Sequence, residues 1–123
     1  MIAAARRLLY PRRLGYGNTA GSVACALLSA GGRLYYGVCI DVSSGIGFCA
    51  EHSAIAAMIT AGETAIARIV AVAEDGRVLP PCGRCREFMA QVDEGNLERT
   101  EVILGENRVV RLHDLLPFPY VGT

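Results

Sequence analysis

Three cysteines and one glutamate, in two short segments, constrain this chain more than any other feature. Cys49-Ala50-Glu51 comes first, and Pro81-Cys82-Gly83-Arg84-Cys85 follows further along the chain. Three thiolates fill three of the four tetrahedral positions of Zn²⁺ and leave the fourth for water, which is typical of a catalytic site. A structural site needs a fourth protein ligand, and Cys25 and Cys39 lack the paired spacing that would supply it. The pattern predicts a catalytic metal centre, with Glu51 as general base for the bound water.

The same residues are also compatible with simpler roles. The three-cysteine cluster could be a structural or redox site, although such a site gives no reason for a carboxylate beside a ligand. Glu51 could instead stabilise a helix N-terminus through the helix dipole alone. His52 either modulates the charge of the thiolates or lies on the helix surface. Cys25 and Cys39 lie in apolar segments and are predicted to be small buried residues.

Hydrophobic periodicity predicts an α/β fold. Apolar and β-branched runs predict five strands, over residues 22–29, 33–40, 66–73, 102–104 and 109–110. Helical patterns predict helices over residues 2–9, 50–61 and 83–92, and a final helical turn over residues 113–116. This order predicts a three-layer α/β/α sandwich with a mixed five-stranded sheet. Cys49 and Cys82 then fall at helix starts, where unpaired N–H groups favour thiolate over thiol.

Size and composition limit the partners. A chain of 123 residues is long enough for one core, so we predict a single catalytic domain over residues 1–123. The hydrophobic content of 52% and the mean hydropathy of +0.33 exceed what the surface of a small monomer carries, which favours a homo-oligomer. The 12 basic and 12 acidic residues cancel, so no strong field attracts a polyanion and we expect no nucleic-acid partner.

The cysteine pattern also predicts a cytoplasmic location. Five cysteines, of which three have metal-ligand spacing, favour a reducing compartment over a disulfide framework. Residues 1–9 briefly resemble a targeting segment, but no apolar stretch long enough for its hydrophobic region follows. No apolar run approaches the roughly 20 residues that a membrane-spanning helix needs, so we expect no membrane partner.

Taken together, the motifs resemble the cytidine deaminase superfamily, in particular its small three-cysteine enzymes of the cytidine deaminase and blasticidin S deaminase type. The resemblance extends from Ser22 to Val121 and rests on residues 22–28, 32–37, 49–51, 81–86 and 115–117. It implies a Zn²⁺ cofactor bound by Cys49, Cys82 and Cys85, and a role for Glu51 as proton shuttle. It also implies a homotetramer acting in nucleoside metabolism, with a small-molecule substrate.

The same resemblance implies substrate contacts. The Ala50 N–H would bind the carbonyl of the base, and a carbonyl near Pro80-Pro81 would accept from its amino group. Tyr120 follows Leu-Leu-Pro at the position of an aromatic that stacks on the base, in its own or a neighbouring subunit, and Phe118 is the alternative.

On the sugar side the chain departs from its relatives. Cytidine deaminases have an asparagine and a glutamate that hold ribose hydroxyls, where this chain has Cys39 and Asp41. Three functions therefore stay open: a cytidine-like nucleoside deaminase, a deaminase of a modified nucleoside, nucleoside antibiotic or other aminated heterocycle, and a zinc-bound oligomeric binding protein without turnover.

Overall fold

The computed structural model describes residues 1–122 and has a seven-stranded mixed sheet flanked by helices. The strands are β1 Arg12–Arg13, β2 Thr19–Ser29, β3 Leu34–Asp41, β4 Ile66–Ala73, β5 Val78–Leu79, β6 Glu101–Gly105 and β7 Arg108–Arg111. The helices are α1 Ile2–Arg6, α2 Ala50–Thr60, α3 Gly83–Val92, α4 Asn96–Arg99 and α5 Leu112–Leu115, and Gly15–Gly17 form a 3₁₀ turn.

Both antiparallel and parallel pairs occur in the sheet. The strand order is β1-β2-β4-β6-β7, with β3 on the other side of β2 and β5 paired to β4. β4 is antiparallel to β2 and parallel to β6. The predicted mixed sheet is confirmed, but the predicted number of five strands is wrong. The two additional strands, β1 and β5, have two residues each and are too short to carry a recognisable apolar alternation.

The sheet is covered on both faces, which confirms the three-layer arrangement. Because successive side chains of a strand point to opposite faces, Ala24 and Ala26 of β2 enter one core and Cys25 and Leu27 enter the other. The short helix α1 covers the first face through the fully buried Ala5, and α2 and α3 cover the second. Helix α1 is shorter than predicted because the turns after Arg6 tighten to three-residue hydrogen bonds.

A bulge in β2 shapes the end of the sheet where the predicted site lies. Ala20 pairs with Ile40 and Ala24 pairs with Val38, so residues 21–23 of β2 face Cys39 alone. Gly21 has φ +86°, and a Cβ there would lie 2.1 Å from the carbonyl oxygen of Tyr10. Glycine is therefore the residue that this bulge accommodates.

Helix α2 lies directly against β3. A Cβ on Gly37 would be 2.4 Å from the backbone nitrogen of Ala54 and 2.6 Å from the backbone oxygen of Ala50. Ser53 Oγ donates a hydrogen bond to the backbone oxygen of Val38 at 2.8 Å. This close approach fixes the start of α2, and with it Cys49 and Glu51.

The buried side chain of Asn96 joins α3, α4 and β4. Its Oδ1 accepts from the backbone nitrogen of Ile66 at 2.9 Å. Its Nδ2 donates to the backbone oxygens of Met89 and Thr64 at 2.9 and 3.2 Å. Helix α4 was not predicted, because four residues with a polar first position show no helical periodicity.

Candidate metal and catalytic site

The three predicted metal ligands meet at the start of two helices. Cys49 is the N-cap of α2 and Cys82 is the N-cap of α3, while Cys85 lies within the first turn of α3. The Sγ of Cys82 lies 3.5 Å from the Sγ of Cys49 and 3.5 Å from that of Cys85. The Sγ atoms of Cys49 and Cys85 lie within 4.8 Å of each other. Two sulfurs about 2.3 Å from a tetrahedral zinc ion are about 3.8 Å apart, so the three thiols fit this ion.

His52 belongs to the same cluster. Its Nδ1 lies 3.3 Å from the Sγ of Cys85 and within 4.8 Å of the Sγ of Cys49. Burial, together with the positive charge of Arg84, lowers the pKa of His52. This contact favours a role of His52 at the thiolates over a place on the helix surface alone. The cluster offers one nitrogen beside three sulfurs as donors that zinc accepts.

The three thiols differ in acidity. Burial, and then the charge of Glu51, raise the pKa of Cys85 far above its usual range, and burial also raises the pKa of Cys49. Burial opposes ionisation of Cys82 too, but hydrogen bonds from the Cys85 backbone and neighbouring groups outweigh it and lower the pKa of Cys82. The backbone N–H groups at the start of α3 thus favour the thiolate of Cys82, as expected at a helix N-terminus. Ionising all three thiols together requires a cation among them.

Glu51 is a buried carboxyl group at the same place. It lies in the first turn of α2, is 5% exposed and lines the cavity next to Cys49. Burial raises the pKa of Glu51 above its usual value. A carboxyl group whose pKa moves toward neutrality is suited to accept and return protons at neutral pH.

One cavity of about 460 Å³ joins most of the predicted site. This volume lies in the range of small-ligand sites, about 300–1,000 Å³. The predicted residues among its lining are Cys39, Asp41, Cys49, Ala50, Glu51 and Cys82. The structure therefore brings two of the three predicted metal ligands, the carboxyl group and the two proposed sugar-side residues to one space, while Cys85 lies buried outside the lining with its sulfur 3.5 Å from that of Cys82.

Pro81 and Tyr120 lie elsewhere. Pro81 is buried outside this cavity, and its carbonyl oxygen accepts a hydrogen bond from Arg86 Nε at 2.8 Å. Pro80 lines the cavity instead, and the predicted substrate contact near Pro80-Pro81 is therefore nearer to Pro80 than to Pro81 in this structure. The Tyr120 side chain is 82% exposed and does not line the cavity of its own chain, and its backbone nitrogen donates to Glu87 Oε1 at 2.6 Å. Phe118 is exposed and outside the cavity as well.

The Cys39 thiol has three polar neighbours. The Val23 backbone nitrogen donates to its Sγ at 3.3 Å, and Ser22 Oγ also lies 3.3 Å away. Its own S–H donates to Asp41 Oδ2 at 3.5 Å. Cys39 is thus a small buried residue, as predicted, that still borders the cavity.

Ser22 and Phe48 are among the lining residues that were not predicted from the sequence. Ser22 faces the cavity because of the bulge, which the glycine before it could have indicated. Phe48 also lines the cavity, and its backbone pairs with that of Ile40 at 2.9 and 3.0 Å. An aromatic residue directly before Cys49 gave no pattern that would separate it from core.

Comparison with known proteins gives a consistent result. Residues 4–98 match the family described as the cytidine and deoxycytidylate deaminase zinc-binding region. A cytidine deaminase of Halalkalibacterium halodurans is 33% identical over 100 residues, which cover 77% of this chain and 74% of the relative. One from Mycobacterium tuberculosis is 35% identical over 97 residues, or 78% of this chain and 70% of the relative.

Solved structures agree with the sequence comparison. The crystal structure of cytidine deaminase from Mycobacterium tuberculosis superposes with a TM-score of 0.80 at 29% identity, covering 98% of this chain and 94% of that one. That of Mycobacterium leprae gives 0.79 at 28% identity, with 96% and 95% covered.

Proposed function

We propose a function for this chain from the premise that it belongs to the cytidine and deoxycytidylate deaminase family. The chain is a zinc-dependent hydrolase that removes the amino group of a cytidine-like nucleoside and releases ammonia. The observation that carries this function is the buried Glu51 carboxyl group in one cavity with Cys49 and Cys82, with the buried Cys85 sulfur 3.5 Å from that of Cys82.

In this proposal Cys49, Cys82 and Cys85 hold the zinc ion and leave its fourth position open. Their sulfur separations support this ligand set. Zinc, when bound, lowers the pKa of a water molecule from about 16 to about 7, so that a nucleophile exists at neutral pH.

Glu51 carries the protons. It accepts one proton from the attacking water and delivers it to the ring nitrogen. It then accepts the proton of the hydroxyl group that has been added to the ring and delivers it to the amino group, which leaves as ammonia while the ring carbonyl forms. One carboxyl group fills these steps in turn because each returns it to the state that the next requires. Its burial beside Cys49 and its raised pKa support the assignment.

The substrate contacts follow from the lining of the cavity. Ala50 is the first residue of α2, so its N–H has no partner within the helix and is available to the base carbonyl. The carbonyl of Pro80 takes the role expected near Pro80-Pro81, since that of Pro81 is engaged. Asp41 accepts from the sugar hydroxyls, with Cys39 behind it.

The single domain over residues 1–123 acts as a homotetramer in the cytoplasm, without nucleic-acid or membrane partners. Four large apolar side chains besides Tyr120 are more than half exposed and support the assembly: Tyr10, Tyr16, Ile46 and Phe118. In the tetramer, Tyr120 stacks on a base bound in a neighbouring subunit. No helix within residues 1–122 has the length and apolar character to cross a membrane.

A substrate panel tests the function. The zinc-loaded chain is incubated with cytidine, deoxycytidine, cytosine and a set of modified cytidines, and ammonia release is measured. We expect turnover of cytidine or deoxycytidine. Turnover of modified nucleosides alone would favour the second candidate, which the thiol of Cys39 in place of an amide supports. No ammonia from any compound, with zinc bound, would refute the enzyme and favour a binding protein.

A further inference from the structure

His52 contacts the most deeply buried sulfur of the cluster. Cys85 is 0% exposed. Its Sγ lies 3.3 Å from His52 Nδ1, and among residues 1–122 His52 is the side chain that brings a nitrogen within hydrogen-bond distance of that sulfur. A charged group without access to water needs hydrogen-bond donors or a counter-charge from its surroundings. The position of this nitrogen therefore meets a requirement of Cys85 as a thiolate.

Stacking fixes the plane of the imidazole. The His52 ring lies on the Phe88 ring with centroids 4.5 Å apart and an interplanar angle of 23°. The Phe48 ring is its second aromatic neighbour, with a centroid distance of 6.3 Å and an interplanar angle of 29°. Phe88 belongs to α3, the helix that also carries Cys85, so the stack aligns Nδ1 with the sulfur across the α2–α3 contact.

We propose that His52 is a positioning residue of the zinc centre, whose Nδ1–H donates a hydrogen bond to the Cys85 thiolate and orients it toward the ion. The proposal rests on the zinc centre of the proposed function. It does not depend on the charge of the ring, since Nδ1 carries a proton in the imidazolium and in one neutral tautomer. Groups that hydrogen-bond to metal ligands typically contribute about 10–100-fold in metal affinity or activity.

Two variants separate the hydrogen bond from the stacking. His52→Phe keeps a ring against Phe88 but has no N–H. His52→Asn loses the ring but offers an amide nitrogen at the same distance along the side chain as Nδ1. His113→Phe is the matched control, because His113 is the only other histidine of the sequence and lies exposed beside Glu98.

The first measurement is the zinc affinity of each full-length protein, in competition with a chromophoric chelator. We expect His52→Phe to weaken zinc binding by about 10–100-fold. We expect His52→Asn and His113→Phe to stay within about threefold of the parent chain, well below that range. Unchanged affinity in His52→Phe would overturn the proposal. So would an equal loss in both His52 variants, since stacking would then be the contribution.

The second measurement uses the Co²⁺-substituted proteins. Loss of a donor raises the energy of the sulfur electrons, so the thiolate-to-cobalt charge-transfer band should shift to longer wavelength in His52→Phe, without losing intensity, and return in His52→Asn. If His52 were itself a ligand in place of Cys82, Cys82→Ser would keep the full band intensity, which contradicts the proposal. Three cysteine ligands predict a loss of about one third of the intensity, since a zinc-type site binds each sulfur separately.

These readouts are independent of turnover. If the parent chain binds zinc but releases no ammonia from any substrate, the proposed function fails while the affinity and spectral results still decide the role of His52.

Discussion

At the scale of single residues, a substitution of Glu51 can test proton transfer without disturbing the fold or the zinc site. Glu51→Gln keeps the shape of the side chain but removes its capacity to carry protons, so zinc content and melting temperature should stay at the parent values. General acid–base roles contribute about 10²–10⁴-fold each, so we expect ammonia release to fall by at least that factor. Glu106→Gln, at an exposed glutamate paired with Arg6, serves as control. A Glu51→Gln rate near that of the parent chain would assign the proton shuttle to another group.

Asp41 should distinguish substrates that carry a sugar from those that do not. Its carboxylate lines the cavity, and only a sugar offers it hydroxyl groups to accept from. A lost hydrogen bond costs about 0.5–1.5 kcal/mol, so Asp41→Ala should lower kcat/KM for cytidine up to about tenfold, the factor that 1.36 kcal/mol gives. Turnover of cytosine should be unaffected. An equal loss on cytidine, deoxycytidine and cytosine would mean that Asp41 supports the fold rather than the sugar.

Cys39→Asn should act in the opposite direction. An amide oxygen can accept the Val23 N–H that the thiol accepts now, and the amide nitrogen then remains as a donor for a ribose hydroxyl. We expect kcat/KM for cytidine to rise by roughly tenfold, equivalent to one net hydrogen bond. Steady-state kinetics on both proteins measure this, and an unchanged value would leave Cys39 a packing residue.

The sequence predicted which thiols lie together better than the distances between side chains. The proximity of Cys82 to Cys85 was predictable because their spacing of three residues is local, and that of Cys49 followed from the motif it shares with Glu51. The contact of His52 with Cys85 was not predictable, because it depends on how closely α2 and α3 pack. The hydrogen bond from Arg86 to the Pro81 carbonyl was not predictable either, because it also depends on tertiary packing. Arg86 donates a second hydrogen bond to the backbone oxygen of Leu115, which is distant in the sequence.

At the scale of elements, the long apolar segments were predictable and the short polar ones were not. The predicted bounds of β4 and α3 agree with the structure, since a buried β-branched run and a turn rich in proline mark their ends. The short elements are β1, β5 and α4, with two to four residues each. Their conformation is set by contacts with neighbouring elements and not by their own sequence pattern.

Asn96 gives a prediction for the contact between elements. Asn96→Ala would leave the backbone N–H of Ile66 and the backbone oxygens of Met89 and Thr64 without this partner. Stranding one buried polar group costs about 1–3 kcal/mol. We expect the free energy of unfolding, measured by urea titration, to fall by about 2–4 kcal/mol, since relaxation recovers part of the sum. Asn107→Ala, in an exposed turn, is the control, and a loss no larger than its own would show that Asn96 is dispensable.

At the scale of the whole molecule, the exposed aromatic residues predict association. Tyr16 and Phe118 project almost entirely into solvent at 105% and 89% exposure, which is unusual for a stable monomer surface. Light scattering at micromolar concentration should give the mass of a tetramer, and a monomer would exclude a shared site.

Tyr120 tests whether that assembly completes the site. Tyr120→Ala should leave the assembly intact and raise KM, because aromatic stacking is worth about 0.5–1.5 kcal/mol beyond the buried area. If KM stays unchanged in an intact tetramer, the base is held without this residue.

The close seat of α2 on Gly37 has a consequence for how sequences of this kind can diverge. Along β3, Cys39 and Asp41 border the cavity, so we expect substitutions there to change what is bound while the backbone stays in place. Gly37, two positions before Cys39, accepts no side chain, because any Cβ would overlap the backbone of the helix that carries Glu51. Consider a saturation library in cells that are supplied with an aminated compound and need its deaminated product for growth. Position 37 should return glycine alone, while the residues selected at positions 39 and 41 should vary with the compound supplied. Substrate specificity can thus change at positions 39 and 41 of β3, while position 37 of the same strand must remain glycine.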